Sequence, residues 1–460
     1  MIQKMLLLLI GCLCFSMLPA QKLSIPLPAD FYQVGTSENS PYVLLTMRPI
    51  KKGYYTNKGT YCVVDATTGQ TLWTRELDYR LASVSLLTDK VLYTSGIKAV
   101  LYDCRTGEKV GQEKILTTYI DVERDVWIGY RSEFNHKVKC LQLSTGKLLW
   151  EQEIPCRTGR AWWSLQRVGE NHLLFVADNL CLLNLQTGEL KVHEAKTNIP
   201  NVKANFAVGA LSALSFALGG GAMATSNGRT GGLFSNVLNE EGRYYFSDRT
   251  HLACMDSTLN EIWRYDFPEK ETAGARLVCK GDTLFMLNEG TGVFGNRVLK
   301  VGKPFFAAFR KSTGEKLNLD YLPEEWDKEH WGKFLNFVSG HLFLRDASGE
   351  AFSPLYRPGN VYPLFTAWDD VALVNSRLDV LAAYPPEQVY VETARFGEDM
   401  LVSSLADSSE CFLLDKDRKV KSRIGLSRSE MLVKGDKIYT LGNGRGCLII
   451  SSPDKMNAPF

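Results

Sequence analysis

Six histidines, strung between His136 and His341, and eleven cysteines are the side chains best suited to metal binding or nucleophilic attack in this 460-residue chain. Their spacing supports neither chemistry. No His-x-x-x-His pair sets two imidazoles on one helical face, and no paired cysteines stand at zinc-binding spacing. Glu325, Glu329 and His330 lie together in Pro323-Glu-Glu-Trp-Asp-Lys-Glu-His-Trp331, but without a spaced second histidine the segment reads as a solvated helix packed through Trp326. A phosphate loop and a Gly-x-Ser-x-Gly nucleophile elbow are also missing from the sequence. The reading is therefore of no metal ligands and no catalytic residues.

The elements that would have to position any site follow from an internal repeat. Four segments align: Tyr61-Cys-Val-Val-Asp65-Ala-Thr-Thr-Gly69 with Trp73, Val100-Leu-Tyr-Asp103-Cys-Arg-Thr-Gly107, Cys140-Leu-Gln-Leu-Ser-Thr-Gly146 with Trp150, and Cys181-Leu-Leu-Asn184-Leu-Gln-Thr-Gly188. Their glycines fall 38, 39 and 42 residues apart, the length of one four-stranded propeller blade. In each, an apolar strand runs into a polar residue that bonds into a turn, and glycine supplies the positive φ that closes the hairpin. The tryptophan on the returning strand is placed to cover the seam between neighbouring blades. Weaker copies follow at Asp256 with Asn260 and Trp263, at Gly314, and at Cys411 to Asp415. Asn260 takes the glycine position in that alignment, because asparagine tolerates positive φ.

The repeat also explains the cysteines. Cys62, Cys140, Cys181, Cys254 and Cys411 share one strand position before the turn, and equivalent positions in successive repeats lie too far apart for disulfides, so buried thiols are predicted.

The phrase Asp-x-x-Thr-Gly followed by Leu-Trp resembles the pyrroloquinoline-quinone (PQQ) type of propeller repeat. That family includes quinoprotein alcohol dehydrogenases and the lipoprotein that assists the outer-membrane β-barrel assembly machine. The likeness is closest around Gly69 and Gly146, and the pattern spans about residues 38 to 455. It implies an all-β fold, a single β-propeller of seven or eight blades with eight favoured. Functionally it implies a non-enzymatic binding or scaffold protein of the bacterial cell envelope, or alternatively a PQQ-dependent alcohol or sugar dehydrogenase. PQQ with calcium belongs only to the alternative, because no adjacent cysteine pair is present and no cofactor ligand can be matched residue by residue. No cofactor is predicted.

Lys4, the apolar run Met5 to Ile10 and the small residue Ala20 read as a secretory signal peptide over residues 1–20, with the propeller over 21–460. Cys12, after Leu9-Ile10-Gly11, offers a lipid anchor as the alternative. The expected location is periplasmic or outer-membrane associated, and the expected partner an envelope protein or outer-membrane component. With 53 basic against 51 acidic residues and no basic block, nucleic acid is not an expected partner. The repeat breaks after Gly188, where an insertion of about 197–241 is expected. Within it, Ala204 to Gly228 carry no charge, and Phe206 to Leu218 read as one apolar helix ended by Gly219 to Gly221, expected either to pack over the propeller's own face or to contact a partner or membrane surface, and too rich in alanine and glycine to span a membrane. Finally, Tyr42-Val-Leu-Leu-Thr-Met47 is expected to close the ring by joining the strands at Lys437–Thr440 and Cys447–Ser451.

Overall fold

A computed structural model describes residues 23–37, 39–131, 136–155, 162–195, 234–268, 270–294, 297–300, 302–322, 336–337, 341–355, 364–367, 370–406, 411–424, 431–442 and 446–453. The leader with Cys12, the stretch from Ala204 to Gly228 and the segment Pro323 to Trp331 lie outside the described residues.

Alternating apolar strands separated by short turns assemble into eight four-stranded antiparallel sheets, the blades of an eight-bladed β-propeller. Blade 1 comprises Phe31–Gly35, Tyr42–Met47, Lys58–Asp65 and Thr71–Asp78. Blades 2, 3 and 4 follow as Ala82–Leu86 to Lys109–Lys114, Leu116–Asp121 to Leu148–Glu153, and Trp163–Val168 to Leu190–His193. Blade 5 holds Leu238–Glu240, Arg243–Ser247, His251–Met255 and Glu261–Asp266. Blade 6 begins at Ala275–Lys280 and ends at Lys316–Tyr321; blade 7 begins at Asn336–Phe337 and ends at Val380–Tyr384.

Apolar clusters join each sheet to the next, so the core is a series of seams. One seam binds blade 3 to blade 4 through Tyr130, Trp150, Trp162 and Phe175. Another binds blade 4 to blade 5 through Leu174, Leu182, Phe246 and Met255. Between blades 7 and 8 stands a six-stranded sheet, in which the weaker copy at Cys411 to Asp415 supplies the strand Cys411–Leu414 and the turn that follows it. Its edges meet where Phe352 N–H donates to the Arg418 carbonyl and Val420 N–H to the Glu350 carbonyl, so it curls around Phe343, Phe352, Tyr390 and Phe412.

The ring closes differently from the sequence reading. Blade 8 contains Met431–Lys434, Lys437–Gly442, Cys447–Ser451 and, as its fourth strand, Leu23–Pro26. Leu23 pairs with Ile450 and Pro26 with Cys447. Tyr42–Met47 instead lies inside blade 1, paired with Phe31–Gly35 on one side and Lys58–Asp65 on the other. The reason is burial: Val43 to Met47 are all buried and need strands on both flanks, whereas a four-residue strand ending in proline suits an edge.

Strands alternate in direction, which sorts the connections onto two faces. The Asp-x-x-Thr-Gly turns, between third and fourth strands, share one face with the first-to-second turns. The opposite face carries the longer connections, among them the hairpin Ile50–Lys51/Tyr54–Tyr55 and the hairpin Thr291–Phe294/Arg297–Lys300.

Candidate functional surface

The turn residues singled out by the repeat occupy one recurring geometry. The Asp65 carboxylate accepts from Thr67 N–H (2.7 Å) and Thr68 N–H (3.1 Å). Asp103 accepts from Arg105 and Thr106 N–H in the same way, and the Asn184 side-chain oxygen from Gln186 and Thr187 N–H. Gly69, Gly107, Gly146, Gly188 and Gly314 hold φ between 72° and 76°. A role the repeat alone did not reveal falls to the threonine before each glycine. The Thr68, Thr106, Thr145, Thr187 and Thr313 hydroxyls each accept the N–H of the residue after the glycine, an ST-type turn bond.

The reading is corrected at Asn260. The blade 5 turn is one residue tighter, with Asp256 N–H donating to the Asn260 carbonyl and Leu259 N–H to the Asp256 carbonyl. Leu259, at φ 65°, therefore takes the left-handed position, while the Asn260 amide bonds Asp256 and Thr258 through its side chain.

Each of the three singled-out tryptophans reaches across a seam to the turn of the next blade. The Trp73 indole N–H donates to the Cys104 carbonyl (2.7 Å), that of Trp150 to Leu185 (2.8 Å) and that of Trp263 to Lys311 (3.1 Å). In each case the ring lies on the glycine three residues further on. A Cβ added to Gly107 would stand 2.8 Å from the Trp73 ring, and one on Gly188 would stand 2.7 Å from Trp150. Gly314 meets Trp263 still more closely. Blade 2 has Gly111 at the tryptophan position, and the space beside Gly146 is bounded instead by Glu113. Blade 4 has Val192 there, and Leu259 fills the gap with its own side chain, packed in the seam between blades 4 and 5. These residues build the ring; the described cysteines do likewise as buried thiols. Burial pushes Cys62 up to about 11 and Cys140 to about 12, far from the range of a reactive thiolate.

Binding chemistry gathers on the other face of blade 1. Arg48 lies among three tyrosine rings, 4.8 Å from the centre of Tyr79, 5.3 Å from Tyr32 and 5.5 Å from Tyr55, and its Nε donates to the Thr56 carbonyl. Tyr32 meets Tyr55 and Tyr79 edge to face. This stack fixes the base of the hairpin Ile50–Lys51/Tyr54–Tyr55, whose tip holds Ile50 61% exposed and Tyr54 80% exposed. Leu81, on a connection of the same face and two residues beyond Tyr79, is 65% exposed. Large apolar side chains held in water on a braced hairpin are unusual unless something covers them.

The seam between blades 1 and 2 opens into a groove of about 460 Å³ whose lining includes Tyr61, Arg75, Glu76, Tyr93, Lys98 and Tyr102. Arg75 stacks 4.3 Å over the Tyr102 ring and donates to the Gly107 carbonyl, so the groove has an ordered polar wall. Neither the Arg48–tyrosine stack nor the groove carries a linear signature, because their residues converge from separate strands and turns.

The expectation that the histidines are scattered is revised at one seam. His193, at the end of blade 4, and His251 and Glu261, in blade 5, bring one donor atom each within 4.8 Å of one another.

No family model matches the chain, and no curated protein matches it. Among solved structures the chain is similar to the crystal structure of BamB from Moraxella catarrhalis, at 12% identity and TM-score 0.37, covering 94% of this chain and 99% of that one. It is also similar to the dihydro-heme d1 dehydrogenase NirN in complex with DHE (12%, TM-score 0.34, 80% of this chain and 78% of that one). A third is the computationally designed Ika8 protein (10%, TM-score 0.34, 81% and 96%). At this degree of likeness no binding or catalytic property carries over, and the propeller fold stands on its own strand pairing.

Proposed function

We propose that this chain is an exported β-propeller that acts as a non-enzymatic binding scaffold in the bacterial cell envelope, periplasmic or attached to the outer membrane, and that its partner is an envelope protein. The observation that carries the reading is the braced aromatic hairpin. Its solvent-held Ile50, Tyr54 and Tyr55, supported by the Arg48–tyrosine stack, have the composition of a protein-interface hot spot. The rigid ring beneath supplies preorganisation, which lowers the entropic cost of docking. The leader-like start at Lys4 to Ala20 and the PQQ-type repeat phrase support the location. Among the described residues no helix is long and apolar enough to cross a membrane.

The test is capture from the native envelope with a photo-crosslinking residue in place of the exposed Lys51, beside Tyr54, in both the parent chain and the variant. A defined envelope protein is expected on the parent chain and is expected to be lost from the Ile50→Ser/Tyr54→Ser variant, which leaves the ring intact. Equal capture by that variant would remove the hairpin from the interface. Dye reduction that requires added PQQ and calcium would replace the scaffold reading with the dehydrogenase, and N-terminal sequencing that finds Met1 retained would overturn export.

A further inference from the structure

We propose that His193, His251 and Glu261 form a binding site for one divalent transition-metal ion of the zinc class, set in the seam between blades 4 and 5. Stacking of the blades brings His193 to His251 and Glu261, which stand on the two strands of one hairpin. His193 closes the strand Leu190–His193 opposite Leu180, and His251 and Glu261 open the strands His251–Met255 and Glu261–Asp266. The two imidazole rings lie 5.8 Å apart between centres.

The decisive feature is the state of the two rings. The Nε2 atoms of both His193 and His251 are buried, and among the described residues neither has a hydrogen-bond partner. A buried nitrogen without a partner is destabilising, and two in one place describe a site that still needs a ligand. A proton donor or a metal ion answers that need; a carboxylate oxygen within 4.8 Å of a nitrogen on each ring favours the ion.

The surroundings prepare His251 for that role. Its Nδ1 faces the fully buried Asp248 carboxylate at 3.1 Å and the Thr250 hydroxyl at 3.0 Å. Asp248 is itself held by the Thr250 and His251 backbone N–H groups, at 2.7 and 2.9 Å. A carboxylate behind one ring nitrogen holds the proton there and directs the other nitrogen's lone pair outward, the second-sphere arrangement common to metal-bound histidines. Glu261, partly exposed, sits 3.7 Å from Arg264, which has Asp266 at 3.1 Å as a closer partner and so can release Glu261.

The donor set selects the ion. Two imidazoles and one carboxylate suit zinc or its neighbours, whereas calcium and magnesium ask for oxygen alone. Tetrahedral bonds of about 2.0–2.2 Å require donors about 3.3 Å apart, a contraction that small side-chain rotations supply. Three protein ligands leave a fourth position for water or a partner's side chain.

The experiment uses the untagged mature chain after chelator treatment, titrated with zinc by calorimetry and with cobalt by visible absorption. One ion per chain is expected, with the strong visible bands of four-coordinate cobalt and a zinc-dependent rise in melting temperature. His193→Gln and His251→Gln are expected to weaken zinc at least 100-fold, and Asp248→Asn by about 10- to 100-fold through lost orientation of His251. Because changes at His251 and Asp248 risk the fold, Glu261→Gln, at a partly exposed position, serves as the independent variant and is expected to lose the cobalt bands at an unchanged metal-free melting temperature. Binding equal to that of the parent in both His193→Gln and Glu261→Gln, or the absence of zinc-dependent stabilisation in the parent, would overturn the site.

Discussion

Gly188 and Gly146 hold the same turn position in consecutive blades and nearly the same φ, 76° and 72°, yet they face different neighbours. A Cβ at Gly188 would strike the Trp150 indole, whereas one at Gly146 would find only the Glu113 carboxylate at 3.7 Å. Left-handed backbone alone costs an alanine about 1–2 kcal/mol. Displacing a packed indole adds an overpacking cost of about 1–3 kcal/mol. Gly188→Ala is therefore expected to lower stability in urea unfolding by more than Gly146→Ala does, by at least about 1 kcal/mol. Equal losses would show that Trp150 does not confine Gly188. Asp256 gives a second prediction. Hydrogen bonds, that from the Thr258 hydroxyl foremost, outweigh burial and hold its carboxyl at about 2. A depressed folded-state value contributes stability that is complete above the ordinary carboxylate range and is lost as pH falls through about 2. Asp256→Asn keeps the acceptor that Asn184 supplies in blade 4 but removes the titration. The variant is expected to show a flatter decline of melting temperature between about pH 4 and pH 2; a decline as steep as the parent's would remove Asp256 from the acid response.

At the scale of elements, the turn and the seam-covering tryptophan were legible because both are local. Four residues and one glycine fix the hairpin, and the tryptophan follows the glycine by a constant step, so Gly69, Gly107, Gly146 and Gly188 announce their blades. Legibility weakens where a tighter turn closes without glycine: the copies at Asp256 and at Cys411 to Asp415 are legible, but the residue that takes the left-handed position is not. Leu259, Leu378 and Arg418 each hold positive φ, at 65°, 68° and 64°, in turns one residue tighter than the consensus. Their side chains left no glycine to read, and the turn at Leu378, in blade 7, has no copy in the repeat. Complementarity across a seam was equally hidden. Leu259 fills a gap that exists only because Val192 in the preceding blade is not a tryptophan, and no single repeat contains that information. The candidate surfaces obey the same rule. Arg48, Tyr32, Tyr55 and Tyr79 meet only once blade 1 has folded, and His193 meets His251 and Glu261 only once blades 4 and 5 have stacked.

The whole molecule depends on a four-residue strand from near the start of the chain. Leu23–Pro26 supplies the outer strand of blade 8, and its Ile25, 3% exposed, packs in one cluster with Val43, Leu45 and Val64 of blade 1 and Tyr439, Leu448 and Ile450 of blade 8. Ile25 also lies 3.6 Å from the position a Gly69 Cβ would occupy, the place that tryptophans take at the seams after blades 1, 3 and 5. The strand thus performs two tasks, pairing an open edge and covering the last seam. Truncating Ile25 to alanine is expected to cost about 2–5 kcal/mol, the range for a buried aliphatic side chain. Deleting Leu23–Pro26 goes further, because it leaves the backbone groups of Cys447–Ser451 unpaired along an apolar edge. If closure makes the ring one cooperative unit, the deletion lowers the melting temperature of the entire protein and drives self-association through the exposed edge. Hydrogen exchange then accelerates even in blade 4, on the far side of the ring. Faster exchange confined to blade 8, with an unchanged global melt and a monomeric chain, would mean that Leu23–Pro26 merely decorates a ring already held together by its other seams.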